Sequence, residues 1–462
     1  MAFEDSGKNL IRYAFLGGLY PKDMENEIIS DSIGAVQNAA NLLQWNFVDG
    51  IENVLKRPLK LINCMFIGSF PRRYKKIVVK GGAFSHVPGT EDVNIGFFNL
   101  AVIKQFVLPI VIRRTLKKFI ASESSFCKVM FVYSANFCHS IKYIKKLDGN
   151  IHICLILPDL PVYMNMSKTG NILYKMINRR NKRLLEDSLE YTDSFVLLTK
   201  AMSDYLHIAD RPFTVVEGMV EADLPASYQV RNENELPVSY LVRIEQAEQA
   251  EQAEQTGQTG QAGLKQVVYT GTLTKAYGIM NLVDAFRGIR DEDMRLVICG
   301  SGEAQDDIIK AAMNDPRIIY MGTMEHREIL RIQRGAAVLV NPRQNIGEYT
   351  KYSFPSKTME YMMSGVPVLG YELDGVPSEY KDYIFYALPE ESGSVANLRD
   401  KIVEICAMSR SEREEIGRKS RLFVLENKSN AVQAKRVMDM VNKAIMMTEN
   451  RKISKVTKEH TK

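Results

Sequence analysis

Two doubly wound α/β domains facing one another across a ligand cleft are the architecture this 462-residue sequence predicts, and three observations predict it. Short unbroken apolar runs alternate with helical stretches on both sides of a low-complexity seam, as strands buried on both faces of a parallel sheet require. Glycine-bearing turns follow several of those runs. A loop, a short helix and a buried strand follow in immediate succession from Tyr352 to Gly370, the order that builds an anion site at a helix N-terminus.

Ahead of the seam the predicted strands are Leu61–Ile67, Lys76–Val79, Val129–Tyr133, His152–Leu157 and Ser194–Leu198. Between residues 245 and 263 the sequence reads EQAEQAEQAEQTGQTGQAG, which has no aromatic or branched apolar side chain to offset its ordering entropy; it predicts a solvated tether or loose helix between domains. Beyond it the strand rhythm returns at Val267–Thr270, Arg295–Cys299, Ile318–Met321, Val338–Asn341 and Pro367–Gly370, with helical stretches at 278–288 and 325–335. The expected division is a first domain over 1–222, a linker over 223–266 and a second domain over 267–425. A C-terminal helix over 426–447 is expected to pack back on the first domain, ahead of a basic tail over 448–462.

At 45% hydrophobic and 25% charged residues the composition is near the globular average and suggests neither a disordered nor a fibrous class. Cys64, Cys127, Cys138, Cys154, Cys299 and Cys406 form no CxxC pair and sit mostly inside apolar runs, the pattern of reduced core thiols in a cytoplasmic protein. Glu4 and Asp5 stand where a signal peptide needs a basic start, and Lys104, Arg113, Arg114, Lys117 and Lys118 interrupt the most apolar stretch, so neither a secretion signal nor a membrane span is expected. Basic residues gather in the first half, at Arg72–Lys76, Lys104–Lys118 and Lys175–Arg183, which fits either solvated helix faces or an anionic membrane surface. They lack the interleaved aromatics of a nucleic-acid platform, and no nucleic-acid partner is expected.

In the passage Tyr352-Ser353-Phe354-Pro355-Ser356-Lys357, Pro355 presets the first turn, so the amides of Ser356 and Lys357 point out of the helix, where the macrodipole favours an anion. Lys357 adds a full charge. Glu360, one turn later on the same side, is placed to accept hydrogen bonds from ribose hydroxyls. The same Ser-x-x-x-Glu spacing is also an ordinary helix start. Gly17-Gly18, Gly271-Thr272 and Gly300-Ser-Gly302 end strands and would let backbone approach a diphosphate, although tight βα turns need glycine in any case. No GxGxxG opens either half, which disfavours a dinucleotide oxidoreductase. His139, His152 and His326 read as structural; His86, after Gly81-Gly82, falls in a candidate cleft loop.

The segments Tyr269-Thr-Gly-Thr-Leu273, Cys299-Gly-Ser-Gly-Glu303, Ala336–Arg343 and Tyr352–Gly365 resemble the donor-binding domain of the family-four retaining glycosyltransferases of the GT-B fold, in the subgroup that serves bacterial exopolysaccharide and capsule assembly. Gly17–Lys22, Ala39–Gln44, Leu157–Pro161 and Val216–Gly218 are similar to the first domain of that subgroup, so the resemblance spans nearly the whole chain except the tether and the tail. It implies two Rossmann-like domains and a hexosyl transfer from a nucleotide-diphosphate sugar to a glycan or lipid-linked oligosaccharide. It also implies no catalytic metal, no further cofactor, and a place in the cytoplasm or on the inner face of the membrane.

The family's second glutamate, which holds the ribose, falls on Glu360; its first falls on Tyr352, with Glu348 four residues earlier. The family's Arg and Lys on the diphosphate fall near Thr272 and Tyr277, leaving Lys357 and Lys275, ahead of Arg343, as the available cations. Asp159 stands where relatives carry a His-Asp pair, the His position being Pro158; it either binds a sugar hydroxyl or caps the turn before Pro161. The rival reading is a non-catalytic sugar-nucleotide or glycan-binding module of the same fold. An epimerase of similar shape would need a set of carboxylates and histidines that the sequence does not assemble.

Overall fold

The computed structural model describes residues 12–34, 36–123, 127–163, 172–221, 264–389 and 395–460. The tether at 245–263, nearly all of the expected linker and the acidic start of the chain lie outside the described residues. The chain forms two compact units, one of residues 1–219 with 430–462 and the other of residues 220–429.

The first unit carries β1 (Arg12–Gly17), β2 (Lys60–Asn63), β3 (Val78–Val79), β4 (Gly82–Phe84), β5 (Asp92–Asn94), β6 (Phe97–Phe98), β7 (Cys127–Tyr133), β8 (His152–Leu157), β9 (Ser194–Leu197) and β10 (Phe213–Val215). Eight of them form one sheet in the order β10-β9-β8-β7-β1-β2-β5-β4, parallel except for the last pair. All of β8 and β9 is buried, so continuous apolar runs, rather than alternation, mark these strands. The expected strand from Leu61 to Ile67 stops at Asn63, where the Asn63 side chain donates to Leu19 O and Asn94 Oδ1 and the chain turns off the sheet. The helix Asn38–Leu55 packs on the C-terminal helix Asn430–His460, close enough that a Cβ on Gly50 would lie 2.6 Å from the Asn430 carbonyl. That last helix differs from the expected 426–447: the backbone is extended at Ser429, a separate helix Arg410–Lys428 precedes it, and helical backbone continues through the basic tail to His460.

The second unit carries β11 (Lys265–Thr270), β12 (Met294–Cys299), β13 (Ile318–Gly322), β14 (Val338–Asn341), β15 (Val368–Tyr371) and β16 (Phe385–Ala387). They form an all-parallel sheet in the order β13-β12-β11-β14-β15-β16. Counted within the unit this is the doubly wound order 3-2-1-4-5-6, and its direction reverses between β11 and β14. Loops on either side of such a reversal part outside the strands' carboxyl ends and leave a crevice there. The core beneath it, including Val267, Leu296, Ile298, Val338 and Val340, is fully buried.

His86 is not in an open loop. Its ring is 1% exposed, with Nδ1 2.6 Å from Asp92 Oδ2 and Nε2 2.7 Å from Glu52 Oε1. The same carboxylates accept from the Leu61 and Leu59 amides, so this cluster ties the β4–β5 hairpin to the helix Asn38–Leu55. Burial lowers the imidazole pKa, but the hydrogen bonds and charges of Asp92 and Glu52 outweigh it and raise it to about 9. Burial opposes ionisation of Asp92 as well, and the His86 contacts still hold that carboxyl below its ordinary value.

A raised imidazole stabilises the fold fully below its unfolded pKa of about 6.5, and that contribution is lost as pH rises through the folded value. Thermal unfolding followed against pH is therefore expected to show stability declining between about pH 6.5 and 9, by up to about 3 kcal/mol, in the parent protein. His86→Gln should be less stable at pH 6 and flat over that window. An equal slope in the variant would remove the charge from the account.

Candidate functional site

Around the strand-order reversal of the second unit the helix Ser356–Met363 is fixed to the end of β11 by two side chains. The buried Tyr361 hydroxyl accepts from the Thr270 N–H at 2.9 Å and donates to the Thr270 carbonyl at 3.0 Å. Gln333, fully buried at the end of the helix His326–Arg334, donates through Nε2 to Thr270 Oγ1 at 2.8 Å and to Glu360 Oε1 at 2.6 Å. Gln333 was not legible as a site residue, because nothing in its own segment distinguishes it from a helix-end glutamine.

Glu360 lies in a polar setting. Besides Gln333 it accepts from Lys357 Nζ at 2.9 and 3.1 Å, the i,i+3 relation that puts both on one helix face. Burial alone would raise its pKa; the Lys357 charge and the Gln333 and Lys357 hydrogen bonds hold it below the ordinary glutamate value, so it is a carboxylate at neutral pH.

The helix begins without a cap. Pro355 is extended at the N-cap with no side-chain cap bond, and Thr358 N–H turns back to the Pro355 carbonyl. Among the described residues the N–H groups of Ser356 and Lys357 donate to nothing, while the Ser356 side chain is exposed. Phe354 is buried against Tyr380, which holds the entry to the helix.

The glycine turns have another explanation. A Cβ on Gly300 would lie 1.8 Å from the Gly271 carbonyl, and one on Gly302 2.5 Å from the Leu273 carbonyl, so backbone packs directly on backbone there. Gly271 N–H donates to the Cys299 carbonyl and Gly300 N–H to the Gly322 carbonyl, which leaves neither amide for a diphosphate. Thr272 is exposed, and its carbonyl accepts from the Tyr269 hydroxyl at 2.8 Å. In the first unit Gly18 N–H donates to Gln44 Oε1 at 2.7 Å. Cβ atoms on Gly17 and Gly18 would strike the Phe15 and Phe66 rings.

The cations separate by their partners. Lys275 Nζ sits 2.6 Å from Asp307 Oδ2 on the surface, its charge already matched. Arg343, on the loop after β14, has no carboxylate within ion-pair distance among the described residues. Its guanidinium lies between the Tyr277 and Tyr349 rings, 5.2 and 4.8 Å from their centroids, and donates through Nη2 to Ser353 Oγ at 2.7 Å. Its Nε is buried without a partner. A cavity of about 20 Å³, room for one water, lies beside Arg343, Asn341 and Thr358. Tyr352 closes the short 3₁₀ turn Glu348–Tyr352 and is half-buried, while Glu348 at its start is exposed. Asp159 is exposed in the loop after β8 in the first unit; burial raises the pKa of the Tyr133 hydroxyl, and the Asp159 charge adds to that. No group of three or more His, Cys, Asp or Glu among the described residues is placed to hold a metal ion, and no helix there is long and apolar enough to cross a membrane.

Residues 264–407 match the family model described as glycosyl transferases group 1. No curated protein sequence matches the chain. Among solved structures it is similar to sucrose-phosphate synthase from Thermosynechococcus elongatus, at 13% identity and a TM-score of 0.61 over 94% of this chain and 100% of that one. It is also similar to Anabaena HepE in complex with UDP, at 12% identity and a TM-score of 0.56 over 94% and 100%. The catalytic domain of starch synthase IV from Arabidopsis thaliana, bound to ADP and acarbose, gives 8% identity and a TM-score of 0.58 over 95% and 100%. The chain has the GT-B fold of two Rossmann-like domains, and the family match over its second unit supports a glycosyltransferase.

Tyr361→Phe deletes the hydroxyl that satisfies both backbone groups of Thr270. Urea unfolding is expected to show a loss of about 1–3 kcal/mol, the cost of leaving buried polar groups without a partner. A variant as stable as the parent would show that water or a shifted neighbour replaces the bond, and that the helix is not fixed in this way.

Proposed function

We propose that the protein is a retaining, metal-independent glycosyltransferase that moves a sugar from a nucleoside-diphosphate donor to the hydroxyl of a lipid-linked oligosaccharide in bacterial surface-polysaccharide synthesis. The observation that carries the donor site is the uncapped start of the helix Ser356–Met363, with two unspent N–H groups and an ionised Glu360 one turn on. Amides at a helix N-terminus suit the diphosphate, and a carboxylate with remaining acceptor capacity suits the two ribose hydroxyls.

Arg343 is a stronger phosphate cation here than Lys275, because its charge has no acid to leave and two tyrosines hold it in one orientation. Lys357, now paired with Glu360, is adjacent to both parts of the ligand. The step is a displacement on one face of the sugar. The anomeric carbon–phosphate oxygen bond breaks, the acceptor oxygen bonds to that carbon, and the departing phosphate oxygen takes the acceptor's proton, with the amides and Arg343 stabilising the charge that develops. Asp159 is proposed to bind an acceptor hydroxyl. The resemblance carried by Glu360 and its flanking residues supports retention, and the basic first half supports an acceptor at the cytoplasmic membrane face.

Thermal unfolding with UDP, ADP and GDP should show at least one of them stabilising the folded protein by mass action. Glu360→Ala should weaken that ligand about tenfold or more, corresponding to roughly 1.4 kcal/mol or above. Release of the same nucleoside diphosphate from a sugar donor supports transfer; binding without release supports the non-catalytic module. Stabilisation by none of the three, or by one that Glu360→Ala leaves unchanged, would contradict the placement of the site.

A further inference from the structure

The helix Ala101–Glu123 turns one stripe to the core, with Ile112, Leu116 and Ile120 buried, and leaves another in solvent. Along that outer stripe Ile103, Phe106 and Ile110 are 45%, 62% and 50% exposed. Arg113, Arg114, Lys117 and Lys118 continue it, all exposed. Spacings of three and four residues keep both sets on one face, spread over roughly 22 Å. The ribbon of β3 and β6 packs at the start of this helix and exposes the facing pair Val78 and Phe98. From the helix Ile172–Leu189, Arg180 lies 5.5 Å from the centroid of the Phe106 ring.

Isolated exposed apolar residues need no explanation, and neither do solvated lysines. Here a run of large apolar side chains adjoins cations that have no carboxylate partner among the described residues; Arg113 donates only to the His139 carbonyl, at 2.8 Å. Among the described residues none of Arg113, Arg114, Lys117, Lys118, Arg179 and Arg180 forms an ion pair, and the sequence has no acid from 101 to 122. An apolar patch bordered by unpaired charge of one sign marks an interaction surface. Two chemistries in one partner complement it: anionic groups for the basic end and a hydrocarbon boundary for Ile103, Phe106 and Ile110. A nucleic acid offers the first and leaves the isoleucines in water.

We propose that this face docks the first unit on an anionic phospholipid surface. The inference deepens the reading of a lipid-linked acceptor and takes its purpose from that reading, while the surface itself is independent of the donor site. Basic residues supply attraction within a Debye length of the lipid, and the apolar residues enter the boundary of the acyl region.

The test is sedimentation of the full chain with vesicles of phosphatidylcholine alone and of phosphatidylcholine mixed with phosphatidylglycerol. Binding is expected only to the anionic vesicles, weakened at about 1 M salt. The combined variant Arg113→Gln, Arg114→Gln, Lys117→Gln, Lys118→Gln should lower it by about tenfold or more. Phe106→Ser should also lower it without changing the melting temperature, which separates insertion from charge. Equal binding to both vesicle types, binding insensitive to both variants, or a DNA duplex bound as tightly as the anionic vesicles would overturn the proposal. Lost vesicle binding with nucleoside diphosphate binding intact refutes docking alone; the converse refutes the transferase reading alone.

Discussion

The hydrogen bonds between the Tyr361 hydroxyl and both backbone groups of Thr270 are the constraint on which the proposed site depends. Thr270 is the last residue of the strand at which the second sheet reverses its order, so a side chain that bonds its N–H and its carbonyl fixes the short helix against a rigid reference. Gln333 adds a second tie, from Thr270 Oγ1 to the Glu360 carboxylate. Glu360 and the free amides of Ser356 and Lys357 then stand on one helix whose position is set by buried polar bonds, the kind of support that holds a binding geometry to a fraction of an ångström.

The electrostatics follow from that placement. Burial alone would raise the Glu360 pKa, and the Lys357 charge with the Gln333 and Lys357 hydrogen bonds holds it below the ordinary glutamate value. An ionised Glu360 beside a free helix N-terminus makes a site with separate places for hydroxyl donors and for an anion. The arginine clamp at Tyr277 and Tyr349 supplies fixed positive charge without an internal acid, whereas Lys275 is matched by Asp307 in the folded state. Fixed, uncompensated charge is the kind that stabilises a developing negative charge without reorganisation.

Much of this was legible in the sequence. β8, β9, β12 and β14 are built around short apolar runs, and the structure places strands on them because these runs are buried on both faces. The helix start at Ser356 and the placing of Lys357 and Glu360 on one side of it were readable from spacing, whereas the ion pair they form was not. The short strands β4 and β5 were not, since three residues carry no period, and their anchor is the His86 cluster formed by residues far apart in sequence. The glycines misled in a specific way. A glycine needed because a carbonyl lies where its Cβ would be is indistinguishable in sequence from one that admits a ligand, and Gly300 is of the first kind. The partners of Lys275 and Arg343, and the part played by Gln333, are tertiary facts that no local pattern encodes.

The account's central claim is tested most directly by a crystal structure of the protein with a bound nucleoside diphosphate. The expected result is pyrophosphate oxygens within hydrogen-bond distance of the Ser356 and Lys357 amides, with both ribose hydroxyls on Glu360. A nucleotide seated elsewhere, or a diphosphate held by the Gly271 and Gly300 turns while the helix start stays empty, would contradict it.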